Sequence, residues 1–137
     1  MTIAEVGKRF DLTADTLRYY ERVGLIPPVA RTPGGVRDYN EAVCRWVGFA
    51  KCMRAAGVQV EALVAYVALF QQGEETQEAR KQILVDQRRL LQEKLHEIQS
   101  SLSRLDEKIK RYEQLITPVE DHLQRRAGNA HGKDVSP

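Results

Sequence analysis

Two thiols and one run of arginine and tyrosine are the side chains here with chemistry to offer. Cys52 has Lys51 and Arg54 beside it in sequence. A positive surround lowers a thiol pKa and raises the thiolate fraction, as a sensor cysteine requires. Cys44 has Arg45 nearby and less else. On residue chemistry alone a small, inert, buried cysteine is the favoured reading of both, with a reactive Cys52 as the alternative. The two sulfurs stand eight residues apart, roughly 12 Å along a helix. An intramolecular disulfide is therefore excluded while that helix holds, because bridged Cα atoms must come within about 7 Å. The histidines His96, His122 and His131 form no ligand cluster with the thiols. The carboxylates show no catalytic pairing, and no glycine-rich phosphate loop is present. The expectation is a non-enzyme without metal or cofactor.

The second constellation is Thr13-Ala14-Asp15-Thr16-Leu17-Arg18-Tyr19-Tyr20-Glu21-Arg22. With Leu17 and Tyr20 turned to a core, Thr13, Ala14, Arg18 and Tyr19 turn outward. Arginine reads guanine edges or holds phosphate, and threonine and tyrosine hydroxyls suit phosphate oxygens. The competing reading is an ordinary amphipathic helix with an exposed arginine. A third group, Arg31, Arg37 and Tyr39, flanks Pro33-Gly34-Gly35, whose turn chemistry predicts a small hairpin. Guanidinium groups on such a tip press on backbone phosphate, with salt-sensitive strength.

The elements that must carry these residues follow from capping and periodicity. Thr2 and Glu5 fit a capping box, opening a helix with apolar Ile3, Val6 and Phe10. Thr13 caps a second helix to about Val23, stopped by Gly24. Two short helices so close together are the helix-turn-helix signature. Leu25-Ile26-Pro27-Pro28 must be extended, since proline disfavours helix before itself. A hairpin over Arg31–Tyr39 then makes a wing. Asn40 or Asp38 caps a third helix reaching about Ala56, with core face Val43, Trp46, Val47, Ala50 and Met53. On a helical wheel Cys44, Gly48 and Cys52 stack on the opposite face, joined by Ala55; this small-residue stripe suits close approach by another helix, such as the rod of a partner subunit. A fourth helix, Val60 to Gln72, is apolar enough to be buried on more than one side, and Gly73 ends it.

From Thr76 to Ile116 there is neither proline nor glycine. Leu91, Leu95, Ile98, Leu102, Leu105, Ile109, Tyr112 and Ile116 alternate four and three apart, a heptad seam. A helix of roughly 60 Å cannot bury that stripe on a small head, so the stripe wants a partner helix. Pro118 is expected to close the rod, and the polar remainder to fray. The predicted architecture is mainly α: a winged helix-turn-helix head over 1–73, a dimerisation helix forming an antiparallel coiled coil over 74–117, and a flexible tail over 118–137.

Charge agrees with this division. Net charge is +2 over 137 residues, but residues 1–57 carry nine Lys/Arg against six Asp/Glu, and the remainder is net −1. No apolar run approaches the roughly 20 residues of a membrane span, and the amino terminus lacks the pattern of a signal peptide. The expectation is a cytoplasmic protein with reduced thiols.

The run Thr16-Leu17-Arg18-Tyr19-Tyr20-Glu21-Arg22-Val23-Gly24-Leu25-Ile26, with Arg37-Asp38-Tyr39 after it, resembles the hallmark of the MerR family of bacterial regulators. The resemblance covers residues 1 to about 116. It implies a homodimer joined through an antiparallel coiled coil and bound to a palindromic element in a promoter with an overlong spacer. Bending and untwisting that DNA would let RNA polymerase engage both promoter elements. It assigns DNA contact to Thr13, Arg18, Tyr19 and Tyr20 on the helix and to Arg37 and Tyr39 on the wing. With Ala14, Thr16 and Arg31 these form the expected DNA-binding set; Leu91, Leu95, Ile98, Leu102, Leu105, Ile109 and Tyr112 form the dimerisation set. The cysteines that metal-sensing members carry at and beyond the long helix are missing from this sequence, and the large effector domain of multidrug sensors is not expected. Phe49-Ala50-Lys51-Cys52-Met53-Arg54-Ala55-Ala56-Gly57 is similar to the thiol-based, aldehyde-responsive AdhR/NmlR-like branch, which turns the favoured reading of Cys52 to a sensor. The alternatives are a constitutive repressor or architectural protein without thiol sensing, and a coiled-coil adaptor that binds no DNA.

Overall fold

The computed structural model describes residues 1–125, with side chains to Ile116. The chain forms α1 (Ile3–Phe10), α2 (Ala14–Val23), α3 (Glu41–Ala55), α4 (Val60–Gln72), a 3-10 turn (Glu74–Thr76) and α5 (Gln77–Arg125). It divides into two compact units, Met1–Leu91 and the part beginning at Gln92. The first unit thus takes the opening turns of α5, and Leu91 packs against its core.

Local chemistry sets each boundary in the first unit. The Glu5 amide donates to Thr2 Oγ1 at 3.2 Å, and the Thr2 hydroxyl donates to the Glu5 carboxylate at 3.2 Å. Between α1 and α2 the chain turns through Asp11 at φ 54°, and the Leu12 amide donates to the Gly7 carbonyl at 2.9 Å. A Cβ on Gly7 would stand 2.6 Å from the Leu12 carbonyl oxygen, so glycine permits this turn. The Thr16 amide donates to Thr13 Oγ1 at 3.1 Å, and the Val43 amide to Asn40 Oδ1 at 2.8 Å, making Asn40 the cap of α3. Gly24, at φ 86°, closes α2 in the left-handed conformation.

The core gathers Val6 from α1, Leu17 and Tyr20 from α2, Leu25 and Ile26 from the extended link, Tyr39, and Val43, Cys44, Val47 and Ala50 from α3. The expected wing forms in minimal shape: one antiparallel bridge joins Arg31 and Arg37. The Thr32 amide donates to the Val36 carbonyl at 2.7 Å and the Gly35 amide to the Thr32 carbonyl at 2.8 Å. The Met1 main chain lies along the base, its carbonyl accepting from the Tyr39 amide at 2.8 Å.

Three expectations need correction. Cys44 and Gly48 do not face away from the core. Cys44 is fully buried, and a Cβ on Gly48 would meet the Phe10 ring of α1 at 3.2 Å. At 100° per residue Cys44 lies only 60° from Val47, so one broad buried arc takes in both. Secondly, α4 buries a single side within this chain, at Leu63 and Val67, while Phe70 is 45% exposed. Thirdly, Pro118 does not end the rod, because α5 continues to Arg125. A proline inside a helix removes one amide donor, and the helix nevertheless runs on through it. Of the tail expected over 118–137, residues 118–125 are helical and 126–137 lie outside the described residues.

The second unit is a single helix as far as it is described. Leu95, Ile98, Leu102, Leu105, Ile109 and Ile116 are each about half exposed. Within one chain these six side chains of the seam are left half in water.

Candidate nucleic-acid interface and thiol site

Helix α2 presents Thr13, Arg18 and Tyr19 at the surface, with Ala14 and Thr16 half-buried. The Thr13 hydroxyl donates to Thr16 Oγ1 at 2.9 Å, so both threonines serve the cap as well as the surface. Arg18 Nη1 lies 3.0 Å from the Asp15 carboxylate one turn earlier. That pair is exposed, so it orients the guanidinium without immobilising it. Arg22 stacks over the Tyr19 ring at 5.6 Å.

The two other tyrosines of the expected interface are core residues. Tyr20 retains 6% of its surface, and burial pushes its pKa up. Tyr39 is fully buried, and its hydroxyl is enclosed without a hydrogen-bond partner. This departs from a wing contact. The residue follows the bridge, where its amide donates to the Met1 carbonyl and its ring joins the core. Burial raises the Tyr39 pKa first, and the fields of Arg37, Arg18 and Arg31 oppose that rise. Three guanidinium groups, one from α2 and two from the wing, therefore act on one buried phenol.

Glu21 ties helix to wing, and residue reading missed it. Its Oε1 accepts from Arg37 Nε at 2.7 Å and its Oε2 from the Val29 amide at 2.9 Å. Burial would raise the Glu21 pKa, but the Arg37 and Val29 hydrogen bonds and the charges of Arg37 and Arg31 carry it below the usual carboxylate range. The pair fixes the recognition-helix candidate against the wing base. The signal was in the sequence as an acid on the core-side edge of α2 and an arginine sixteen residues on, but their approach depends on the fold. On the wing, Arg31 is exposed and donates to the Gly35 carbonyl at 2.9 Å, bracing the tip.

The thiols separate sharply. Cys44 is buried, its Sγ 3.9 Å from Met1 Sδ, and Cys52 is exposed. The cations flanking Cys52 have other partners: Lys51 Nζ donates to the Phe10 carbonyl, and Arg54 Nη1 to the Val58 carbonyl at 2.7 Å. Among the described residues no three His, Cys, Asp or Glu side chains group as metal ligands, and no helix is long and apolar enough to cross a membrane.

A winged pair of short helices with basic residues on the second helix and the wing defines a nucleic-acid-binding class. Comparison with known proteins narrows it. Residues 2–39 match the model of the MerR family regulatory protein. The chain is 59% identical over 91 residues to the HTH-type transcriptional regulator AdhR of Bacillus subtilis (strain 168), covering 66% of this chain and 65% of that regulator's length. It is similar to the solved structure of a MerR family transcriptional regulator from Listeria monocytogenes, with TM-score 0.88, 42% identity, and coverage of 93% of this chain and 96% of that one. It shares its fold with HiNmlR, a MerR family regulator lacking the sensor domain and solved bound to promoter DNA, with TM-score 0.76, 23% identity, and coverage of 85% and 92%. The chain belongs to the MerR family and is a helix-turn-helix DNA-binding transcriptional regulator.

Proposed function

We propose that the protein acts as a cytoplasmic homodimer that grips a palindromic promoter element through α2 and the wing. In doing so it bends and untwists an overlong spacer so that RNA polymerase can engage both promoter elements. The observation that carries the DNA-facing part is the exposed Arg18 and Arg31 on two elements joined by the Glu21–Arg37 pair. Thr13, Ala14, Thr16 and Tyr19 complete the helix side, and Arg37 reaches backbone phosphate with the guanidinium nitrogens that Glu21 leaves free. Tyr20 and Tyr39 support this surface from beneath. Homodimerisation rests on the half-exposed seam, since apolar side chains recurring by heptads call for a facing helix.

Cys52 is the sensor in this reading, supported by its exposure and by the identity to AdhR. Its sulfur adds to the carbonyl carbon of a small aldehyde such as formaldehyde or methylglyoxal. The thiol proton ends on the carbonyl oxygen, giving a hemithioacetal with no change of oxidation state. The added bulk at the end of α3 shifts the heads and with them the DNA distortion. The engagement of Lys51 and Arg54 by backbone carbonyls favours a second reading, a constitutive regulator whose Cys52 is unactivated.

One experiment separates them: transcription from the bound promoter, with and without aldehyde, for the parent and Cys52→Ala. The sensor reading expects induction in the parent and none in the variant. Equal induction in both would overturn it, and no induction in either selects the constitutive regulator. Arg18→Ala is expected to weaken binding to the promoter fragment by about tenfold or more and to lower the salt slope by about one. Unchanged binding would remove Arg18 from the interface.

A further inference from the structure

Thr76 is the one polar residue that is buried among the described residues, with 8% of its surface exposed. It stands in the 3-10 turn between α4 and the opening turns of α5, within the first unit. Backbone and side chain both shape this joint. Gly73 follows α4 at φ 119°, a conformation that side chains disfavour. A helix leaves its last carbonyls without amide partners, and α4 has no basic side chain in its last turn to meet them. The Thr76 hydroxyl does so from the turn: its proton is shared between the Leu69 and Gly73 carbonyls, each 2.7 Å away. The same oxygen accepts from Arg80 Nε, in the first turn of α5, at 3.0 Å. The half-buried Arg80 guanidinium lies over the Phe70 ring at 5.4 Å, and that ring meets Trp46 of α3 edge-on at 5.0 Å.

One hydroxyl thus joins the last turn of α4 to the first turn of α5. A side chain serving only as a helix cap needs the donor and no partner on its oxygen. Apolar packing tolerates sliding, and a valine would fill the same space. A hydroxyl held from both sides fixes direction instead, because hydrogen bonds weaken steeply as they leave their axis. The joint is tied to the DNA-facing helix through α4. Leu63 of α4 lies in the head core. A Cβ on Gly24, which closes α2, would meet Val64 Cγ1 of α4 at 3.7 Å. Leu91 brings α5 against the same core about three turns after Arg80. Contacts therefore run without a gap from the end of α2 through α4 and Thr76 into α5.

We infer that Thr76 and Arg80 are positioning residues for DNA recognition: they fix the angle between α4 and the start of α5, and with it the spacing of the two half-sites that the dimer accepts. The inference rests on the homodimer reading. Neither residue touches DNA. Half-site spacing mirrors the geometry of the dimer that reads it, so a loosened joint broadens the accepted spacing while each head keeps its own grip.

The test is binding of the full chain to a palindromic promoter fragment and to versions with one base pair added or removed at its centre, with sedimentation alongside. The parent is expected to favour one spacing. In Thr76→Val, which keeps the shape and removes the hydroxyl, the ratio of affinities between that spacing and its neighbours is expected to fall about fivefold, the equivalent of one net hydrogen bond. Thr76→Ser, which keeps the hydroxyl, is expected to retain the parent's ratio. A merely structural role predicts a different pattern: affinity lost equally at every spacing, with the ratio intact, and that result overturns the inference. Arg80→Lys keeps the charge but gives up Nε and the flat face that covers Phe70. It leaves the core untouched, so it reads the joint even where Thr76→Val fails to fold, and it is expected to lower the ratio as well; an unchanged ratio there also overturns the inference. A dimer indifferent to spacing overturns the inference and leaves dimerisation standing, whereas a parent that sediments as a monomer overturns both.

Discussion

Glu21 shows how one residue serves both stability and the interface. Its carboxylate joins α2 to the wing through Arg37 and the Val29 amide, with 18% of the side chain exposed. The folded-state pKa is lowered, so the stabilisation is present above the unfolded value of about 4.3 and is lost as pH falls through the folded value. Glu21→Gln keeps the shape and removes the charge. It is expected to cost about 1.5–3 kcal/mol near neutral pH, the range for a hydrogen bond to a charged group, and to flatten the acid limb of a denaturation-versus-pH curve. An acid limb as steep in the variant as in the parent would show that other carboxylates dominate. The residue was visible in sequence, and its role was not, because nothing local says that an acid on α2 meets an arginine across the wing.

At the scale of elements, the turn between α1 and α2 is set by how closely the backbone approaches Gly7. Adding a methyl there forces the Leu12 carbonyl to move, since the gap is 2.6 Å. Gly7→Ala is expected to lower stability by about 1–3 kcal/mol, in the range for overpacking, with a matching fall in Tm. An unchanged Tm would mean that the turn relaxes freely. The caps Thr2 and Thr13 were legible beforehand, and the structure chose Asn40 over Asp38 for α3; each accepts the amide three residues on. The faces of α3 were read less well. Assigning Cys44 to a stripe opposite the core assumed a narrow core face for α3, whereas the helix packs on the core with a broad arc that includes Gly48 against Phe10.

For the whole molecule the governing fact is that Leu95, Ile98, Leu102, Leu105, Ile109 and Ile116 stay about half exposed in a single chain. Leu102→Asp places a carboxylate within the heptad seam. It is expected to convert the protein to monomer at micromolar concentration in a sedimentation experiment and to abolish binding to a palindromic fragment, while the head keeps its helical content. A variant that stays dimeric would move the interface elsewhere.

The chain's own residue order determined its helices, their caps, the wing turn and the heptad register, because each depends on contacts within a few residues of sequence. It also carried the Arg18-Tyr19-Tyr20 run to the second helix of the pair. Only the tertiary structure decided which of those side chains face outward. Tyr20 and Tyr39 went to the core, Cys52 stayed exposed while Cys44 did not, and Glu21 found Arg37. Burial of a ring or thiol depends on which distant element packs over it, and that is fixed by the assembled core rather than by neighbours in sequence.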